Sequence, residues 1–125
     1  MTDLTQRVLA YTQTMEQIVP TVADRADWAP LASFVAVDDF ERIGTFLEVH
    51  DWPQYVDMLN YWASSIDQFE TTVHRITETG RLVFYEIEER HFRDDKVNVV
   101  NSMTVFEFDA DDKIRRLTVY LQQAR

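Results

Sequence analysis

A carboxylate and an imidazole lie two residues apart in the second half of the chain, at Glu89 and His91. They stand in a segment where apolar residues alternate with polar ones, so in a strand both side chains point to one face. Side by side in an apolar pocket, this pair could remove and return protons, as proton abstraction or dehydration requires. The alternative is an ion-paired, partly exposed strand with Arg90 and Arg93 nearby.

Arg42 is the second candidate, because a guanidinium that faces an apolar pocket needs an anionic partner. Glu89 could be that partner in a structural salt bridge, or the partner could be a carboxylate or enolate of a ligand. His50 lies beside a predicted helix start, which attracts anions. It could therefore sit at a pocket mouth, or it could be a surface residue near a helix cap.

Aromatic residues make up 13% of the chain, and several of them could line a cavity for a flat hydrophobic ligand. Core packing would explain them equally well. The candidates are Tyr11, Trp28, Phe34, Trp62, Tyr85 and Phe106. The hydroxyl of Tyr11 needs a hydrogen-bond partner if it is buried, and it could orient a ligand.

Neither a metal nor a cofactor is expected. The three histidines at 50, 74 and 91 lack a metal-ligand spacing, and the acidic turn at 109–112 is too short for a calcium loop. The chain has no cysteine, which excludes disulfides, thiolate chemistry and cysteine-based zinc sites.

The charge balance restricts the partners of this protein. The formal charge of −10 disfavours nucleic acids and anionic membranes, which require a basic surface. No apolar run approaches the roughly 18 residues of a membrane-spanning helix. The first residues do not have the basic and apolar pattern of a signal peptide. We expect one cytoplasmic domain over residues 1–125.

Helical periodicity predicts three segments in the first half. The first covers 3–19, with Thr2 as its N-cap. The second covers 22–35 and restarts near Asp27, which can cap it. The third starts at Asp51, where Gln54 three residues later completes a capping-box pattern.

Period-two alternation predicts strands between and after these helices. A short early strand is expected over 37–44, before the third helix. Four longer strands then follow over 69–77, 81–92, 97–108 and 113–122. This order predicts an α+β fold in which helices pack on one face of a curved sheet.

Three segments of the chain resemble the nuclear transport factor 2-like superfamily, and within it the SnoaL-like group: DWAPLASFVAVDDFERIG, HDWPQYVDMLNYWA and VNVVNSMTVFEFDADDKIRRLTVYLQ. The resemblance implies a cystatin-like α+β cone. Its curved, mostly antiparallel sheet would surround a pocket, with about three N-terminal helices on the concave face. It also implies a homodimer through the outer sheet face, where Met103, Val105 and Tyr120 would form an apolar patch.

Strand parity, combined with this resemblance, selects the side chains that would face the pocket. The last strand supplies the reference, because its apolar residues share one face. The predicted inward set is Phe40, Arg42, Tyr85, Ile87, Glu89, His91, Val100, Ser102, Thr104, Phe106, Leu117, Val119 and Leu121.

Two known chemistries of the superfamily lack their residues here. The general base of ketosteroid isomerase relatives falls on Arg42, and the proton-donating Asp of their oxyanion hole falls on Thr104, whose hydroxyl can still donate. The catalytic set of limonene epoxide hydrolase relatives falls on Ile87, Glu89 and Val119. We therefore expect neither activity.

Together with this resemblance, the sequence predicts binding of a small hydrophobic, cyclic metabolite in the cone. Cofactor-free chemistry of the cyclase, isomerase or dehydratase type would use Glu89 and His91 as acid and base. Arg42 and Thr104 would stabilise negative charge, and Tyr11 would orient the ligand. The predicted ligand-binding residues are Tyr11, Phe40, Trp62, Tyr85, Thr104, Phe106 and Val119. The alternative is a non-catalytic ligand-binding or dimeric interaction protein of the same fold.

Overall fold

A computed structural model describes residues 4–123. The helices are α1 (Leu4–Ile18), the short α2 (Ala29–Ala32) and α3 (Trp52–Ala63), with 3₁₀ turns at Val19–Thr21 and Arg25–Trp28. The strands are β1 (Glu41–Ile43), β2 (Val49–His50), β3 (Gln68–Thr79), β4 (Leu82–Arg93), β5 (Lys96–Phe108) and β6 (Ile114–Gln122). The predicted α+β class is confirmed.

The six strands form one curved sheet in the order β2-β1-β6-β5-β4-β3. All neighbouring pairs are antiparallel except β1 and β6, which run parallel with Arg42 opposite Leu117. The four long strands are the predicted meander. No helix in residues 4–123 is long and apolar enough to cross a membrane.

α1 buries the apolar stripe that its periodicity predicted, including Val8, Tyr11 and Met15. The predicted N-cap, Thr2, lies outside the described residues. A carboxylate from the sheet contacts the first turn of this helix. Glu78 of β3 accepts hydrogen bonds from the backbone N–H and the hydroxyl of Thr5, at 2.9 and 2.8 Å.

The second predicted helix is corrected to a 3₁₀ turn followed by α2. Asp24, not Asp27, is the N-cap, because its carboxylate accepts the N–H of Ala26 at 2.8 Å. Asp27 stands three residues later and accepts the N–H of Asp24 at 3.0 Å. Hydrogen bonds from the N–H groups of Ala23 and Asp24 lower the pKa of Asp27.

α3 begins as predicted. Asp51 accepts the N–H of Gln54, and the Gln54 side chain accepts the N–H of Asp51, both at 2.9 Å. This capping box fixes the start of the helix. α3 then buries Tyr55 and Leu59 against the sheet and places Trp62 beside β4.

The early strand is shorter than predicted, since β1 covers only Glu41–Ile43. A tight turn follows, in which the Gly44 N–H donates to the carbonyl of Glu48 at 2.9 Å and Leu47 has φ of 67°. The chain then returns as β2. This hairpin lies at the edge of the sheet and carries Arg42 to the cavity described below.

Candidate functional site

A cavity of about 710 Å³ lies between the concave sheet face and helices α1 and α3. This volume falls in the range of about 300–1,000 Å³ that is typical of small-molecule sites. Its wall is mostly apolar and aromatic. Of the predicted site residues, those that line it are Tyr11, Arg42, Trp62, Tyr85, Glu89, His91, Thr104, Phe106 and Val119.

Strand register explains why these side chains meet. The odd-numbered residues of β4 face inward, and Tyr85 is paired with Thr104 of β5. Thr104 is in turn paired with Val119 of β6. Side chains directly opposite in an antiparallel pair share one face. For these three strands, the side chains that were predicted from parity to face inward therefore do so.

Phe40 is the exception among the predicted ligand-binding residues. It precedes β1, so the alternation of that strand does not extend to it. Its ring is only 4% exposed, lies 5.5 Å from the ring of Tyr55 in a stacked arrangement and meets Trp52 edge-on at 5.3 Å. Phe40 therefore belongs to the core behind the cavity wall.

Glu89 and His91 form a hydrogen-bonded pair on the cavity wall, with 2.9 Å between Glu89 Oε1 and His91 Nε2. Their side chains are 16% and 15% exposed, respectively. The hydroxyl of Ser102 donates to the second Glu89 oxygen. The indole N–H of Trp62 donates to His91 Nδ1 at 3.2 Å. Both carboxylate oxygens and both ring nitrogens thus have partners.

These contacts assign the proton of the imidazole. The indole nitrogen of Trp62 can only donate, so His91 Nδ1 must carry the lone pair. The ring proton of the neutral imidazole then lies on Nε2 and points to Glu89. Each carboxylate oxygen has a second lone-pair direction beyond these contacts, so Glu89 can accept one more hydrogen bond from a ligand.

Sequence reasoning missed the partners of this pair. Ser102 was predicted to face inward, and it lies diagonally across from Glu89, which is directly opposite Val100. No strand pattern identifies a diagonal hydrogen bond. Trp62 was predicted as an aromatic wall, but its donor role depends on the approach of α3 to β4, which sequence spacing does not define.

Arg42 does not pair with Glu89. Its Nη1 lies 3.6 Å from a carboxylate oxygen of Glu48 and 3.4 Å from His50 Nδ1. The guanidinium carbon also lies 5.7 Å from the ring centre of Tyr55, a cation–π contact. Arg42 lines the cavity, and the carboxylate of Glu48 in the same hairpin compensates its charge. His50 contacts Arg42 but does not line the cavity.

Glu48 is held in place by its own hairpin. Its carboxylate accepts the N–H of Phe46 at 2.8 Å. Hydrogen bonds from backbone N–H groups, that of Glu48 first, lower its pKa, and the positive charge of Arg42 adds to this. The carboxylate is thus anchored on the backbone and fixes the guanidinium of Arg42 from one side.

Two tyrosine hydroxyls meet at the inner end of the cavity, where Tyr11 donates to Tyr55 at 3.2 Å. Burial raises the pKa of Tyr11 well above its ordinary value, and the neighbouring Tyr55 raises it further. Burial also raises the pKa of Tyr55. Both hydroxyls are therefore neutral donors. The sequence suggested Tyr55 only as part of an apolar helix stripe.

Within residues 4–123, no three His, Asp or Glu side chains are arranged to hold a metal ion. The cavity wall presents several polar groups of its own. A hydrogen-bonded carboxylate lies on β4, and hydroxyl donors and a guanidinium lie toward the inner end. Apolar rings line the wall between these polar groups.

No family model and no curated protein matches the sequence. Solved structures match it at low identity. An NTF2-like protein from Anabaena variabilis is 16% identical, with a TM-score of 0.78 over 99% of this chain and 96% of that one. A protein from Shewanella denitrificans that is classed as a SnoaL-like polyketide cyclase is 13% identical, with a TM-score of 0.75 over 98% and 92%.

A third similar structure is an epoxide hydrolase from M. tuberculosis that is described as LEH-like. It is 16% identical, with a TM-score of 0.68 over 94% of this chain and 84% of that one. Identities this low establish a common architecture, whereas chemistry depends on individual site residues. The chain therefore has the fold of the SnoaL-like and NTF2-like proteins.

Proposed function

We propose that the cavity binds a small hydrophobic, cyclic metabolite and that Glu89 transfers a proton on it. The observation that carries this proposal is a carboxylate with spare acceptor capacity on the wall of an open, apolar cavity. A substrate C–H beside a carbonyl group suits such a base, because its proton becomes removable when the carbonyl oxygen is stabilised.

In the proposed reaction, Glu89 takes the proton from carbon and becomes the carboxylic acid. The C–H electron pair forms a carbon–carbon double bond, and the π electrons of the carbonyl group move onto its oxygen, which becomes an enolate. Thr104, Tyr55 and the cation of Arg42 stabilise that oxygen. Tyr11 uses its own proton in the hydrogen bond to Tyr55 and therefore orients that donor. In a conjugated enolate, return of the proton from Glu89 to another carbon gives an isomerisation. Alternatively, the enolate carbon attacks a second carbonyl, whose oxygen then takes the proton back from Glu89, and the result is a cyclisation.

His91 supports this step as the hydrogen-bond partner of Glu89. Its Nε2–H and the Ser102 hydroxyl hold the carboxylate in one orientation. His91 was predicted as an acid or base in its own right. With Nδ1 bound to Trp62 and Nε2 bound to Glu89, we assign it a positioning role in the proposed reaction.

The second candidate function is non-catalytic binding of the same class of ligand. The observation in its favour is that all four polar atoms of Glu89 and His91 are already partnered, as in a structural network. Such a network rigidifies a wall without any need for chemistry.

Deuterium exchange can test the proposal without knowledge of the natural substrate. Fused bicyclic ketones such as tetralones would be incubated with the protein in D₂O, and exchange of the C–H beside the carbonyl followed by NMR. Because Glu89→Gln removes the base, we expect it to slow catalysed exchange by about 10²- to 10⁴-fold.

Glu88→Gln is the matched control, because Glu88 is adjacent on β4 but pairs with Arg90 at 2.7 Å, away from the cavity. It should exchange at the rate of the unmodified protein. Equal exchange by the Glu89→Gln variant would contradict the acid–base proposal. Ketone binding with no exchange in the unmodified protein would favour the binding function.

A further inference from the structure

Arg93 is the next inward-facing residue of β4 after His91, and it lines the cavity where the cavity opens to solvent. Its Nη1 donates to the carbonyl of Ser64 at the end of α3, at 3.0 Å. This single bond uses one of the five N–H donors of the guanidinium. The anchored side chain keeps the others available at the cavity mouth.

The two cations of the cavity wall differ in their compensation. Arg42 has Glu48 within 3.6 Å. Among residues 4–123, no carboxylate lies within the 4.0 Å ion-pair distance of Arg93. Asp94 and Asp95 follow it in the turn, but neither lines the cavity.

Other polar groups lie at the same opening. Asn98 of β5, Gln123 after β6 and Tyr61 of α3 all line the cavity and are exposed. They contribute hydrogen-bond donors without adding charge. The mouth therefore has a cationic and polar rim, although the protein as a whole carries a formal charge of −10.

We propose that the ligand is a hydrophobic anion, such as a fused-ring carboxylic acid, whose charged group binds Arg93 at the mouth while its rings fill the cavity. This inference rests on the proposed function of the cavity as a ligand site. A guanidinium binds a carboxylate in a bidentate manner, which fixes the direction in which the ligand enters.

The spacing along β4 then limits the length of the ligand. A strand rises about 3.3 Å per residue, so the Cα atoms of Glu89 and Arg93 lie about 13 Å apart. A molecule that reacts beside Glu89 and places its anion on Arg93 must be longer than one ring. Its carbonyl end would lie toward the hydroxyls of Tyr11 and Tyr55.

A pair of fluorescent probes can separate charge recognition from apolar binding. 8-Anilinonaphthalene-1-sulfonate and N-phenyl-1-naphthylamine share the same ring system, and only the first carries an anion. Fluorescence titration would give both dissociation constants. We expect Arg93→Gln to weaken binding of the sulfonate about fivefold to tenfold and binding of the neutral probe less than about twofold.

Lys96→Gln is the matched control, because Lys96 stands opposite Arg93 on β5 but does not line the cavity. It removes the same charge from the same turn. We expect it to leave the ratio of the two constants unchanged. If both variants lost the same affinity for the sulfonate, the electrostatic field of the whole turn, and not a contact with Arg93, would attract the anion. That result would overturn the assignment of Arg93.

A cavity-filling variant, Val119→Phe, separates this inference from the proposed function. It should weaken both probes, because Val119 lines the cavity. If the neutral probe does not bind, or if Val119→Phe changes neither constant, the cavity is not the ligand site and both proposals fail. If Val119→Phe weakens the neutral probe while Arg93→Gln leaves the probe ratio unchanged, only the anion inference fails.

Discussion

Glu89 acquires its possible chemistry from neighbours on two strands and one helix. Alternation along β4 was sufficient to predict that Glu89 and His91 share a face, and the family resemblance was needed to predict that this face meets the cavity. The identity of the hydrogen-bond donors was not predictable, because Trp62 and His91 are separated by 29 residues and meet only when α3 packs on the sheet. The same holds for Arg42, whose partner is set by the turn of a hairpin.

Trp62→Phe tests the tautomer assigned to His91. The variant keeps an aromatic ring against Phe69, whose ring centre lies 5.0 Å away, but it removes the N–H donor to Nδ1. We expect a loss of about 1 kcal/mol in the free energy of unfolding, the typical effect of one hydrogen bond. We also expect ¹⁵N NMR of His91 to show mixed Nδ1–H and Nε2–H forms in place of one.

Trp28→Phe is the control for this experiment, because the Trp28 indole also donates one hydrogen bond, to Asn60 at 3.1 Å. It should destabilise the protein yet leave the NMR signature of His91 unchanged. An unchanged tautomer in Trp62→Phe would contradict the assignment.

The buried hydroxyl of Tyr11 predicts a loss of stability at high pH. Burial raises the pKa of Tyr11, so above pH about 10 the unfolded chain releases this proton while the folded chain keeps it. The folded state then binds more protons, and stability falls as pH rises. Each such tyrosine contributes about 1.4 kcal/mol per pH unit between its unfolded and folded pKa values.

Urea unfolding of Tyr11→Phe from pH 9 to 11.5 measures this effect. The variant should be less stable at neutral pH, because Tyr55 loses its partner, but its stability should fall less steeply above pH 10. Tyr61→Phe is the control, since Tyr61 is 80% exposed. A slope for Tyr11→Phe equal to that of the unmodified protein would contradict the prediction.

At the scale of elements, local signals predicted α1, α3 and the four long strands. The capping box of α3 and the alternation of β3–β6 act within a few residues of one another. The early strand was predicted to start at 37, four residues before β1 does, because the short run of β1 depends on parallel pairing with β6, across 75 residues from Glu41 to Arg116. That error also assigned Phe40 to the cavity.

The hairpin formed by β1 and β2 holds the Arg42 side chain in position through Glu48 and His50. A Cβ atom at position 44 would overlap the carboxylate of Glu48 and come within 2.8 Å of Arg42 Nη1. Both neighbours are flexible side-chain ends, so Gly44→Ala should displace the carboxylate rather than unfold the hairpin. We expect Gly44→Ala and Glu48→Ala each to cost about 1 kcal/mol, and the double variant about the same as either.

Gly80→Ala supplies the additive control for this cycle. Gly80 has φ of 58° and no other atom within 4 Å of an added Cβ, so its cost arises from the backbone alone. In the double variant with Glu48→Ala, the stability cost of Gly80→Ala should add in full to that of Glu48→Ala. Additive costs for Gly44→Ala and Glu48→Ala in urea unfolding would show that position 44 does not act through the carboxylate.

At the scale of the whole molecule, the sheet separates two surfaces with different composition. The concave face lines the cavity, and the outer face of β5 and β6 carries Met103 opposite Tyr120. Ion pairs border this outer patch, including Arg116 with Glu41 at 3.0 Å. Parity in the sequence was sufficient to divide these faces, whereas composition alone does not identify what covers the outer one.

We propose that a second copy of the chain covers this outer patch, because Tyr120 is 58% exposed beside the half-buried Met103. Met103→Glu would place a charge at the centre of the interface, where it has no partner. We expect sedimentation to give a dimer at micromolar concentration for the unmodified protein and a monomer for Met103→Glu.

Val49→Glu is the control, because Val49 lies on the edge strand β2, and this variant should remain dimeric. N-phenyl-1-naphthylamine should bind all three proteins equally. A monomeric unmodified protein would contradict the dimer, and lost probe binding in Met103→Glu would show that the two faces are not independent.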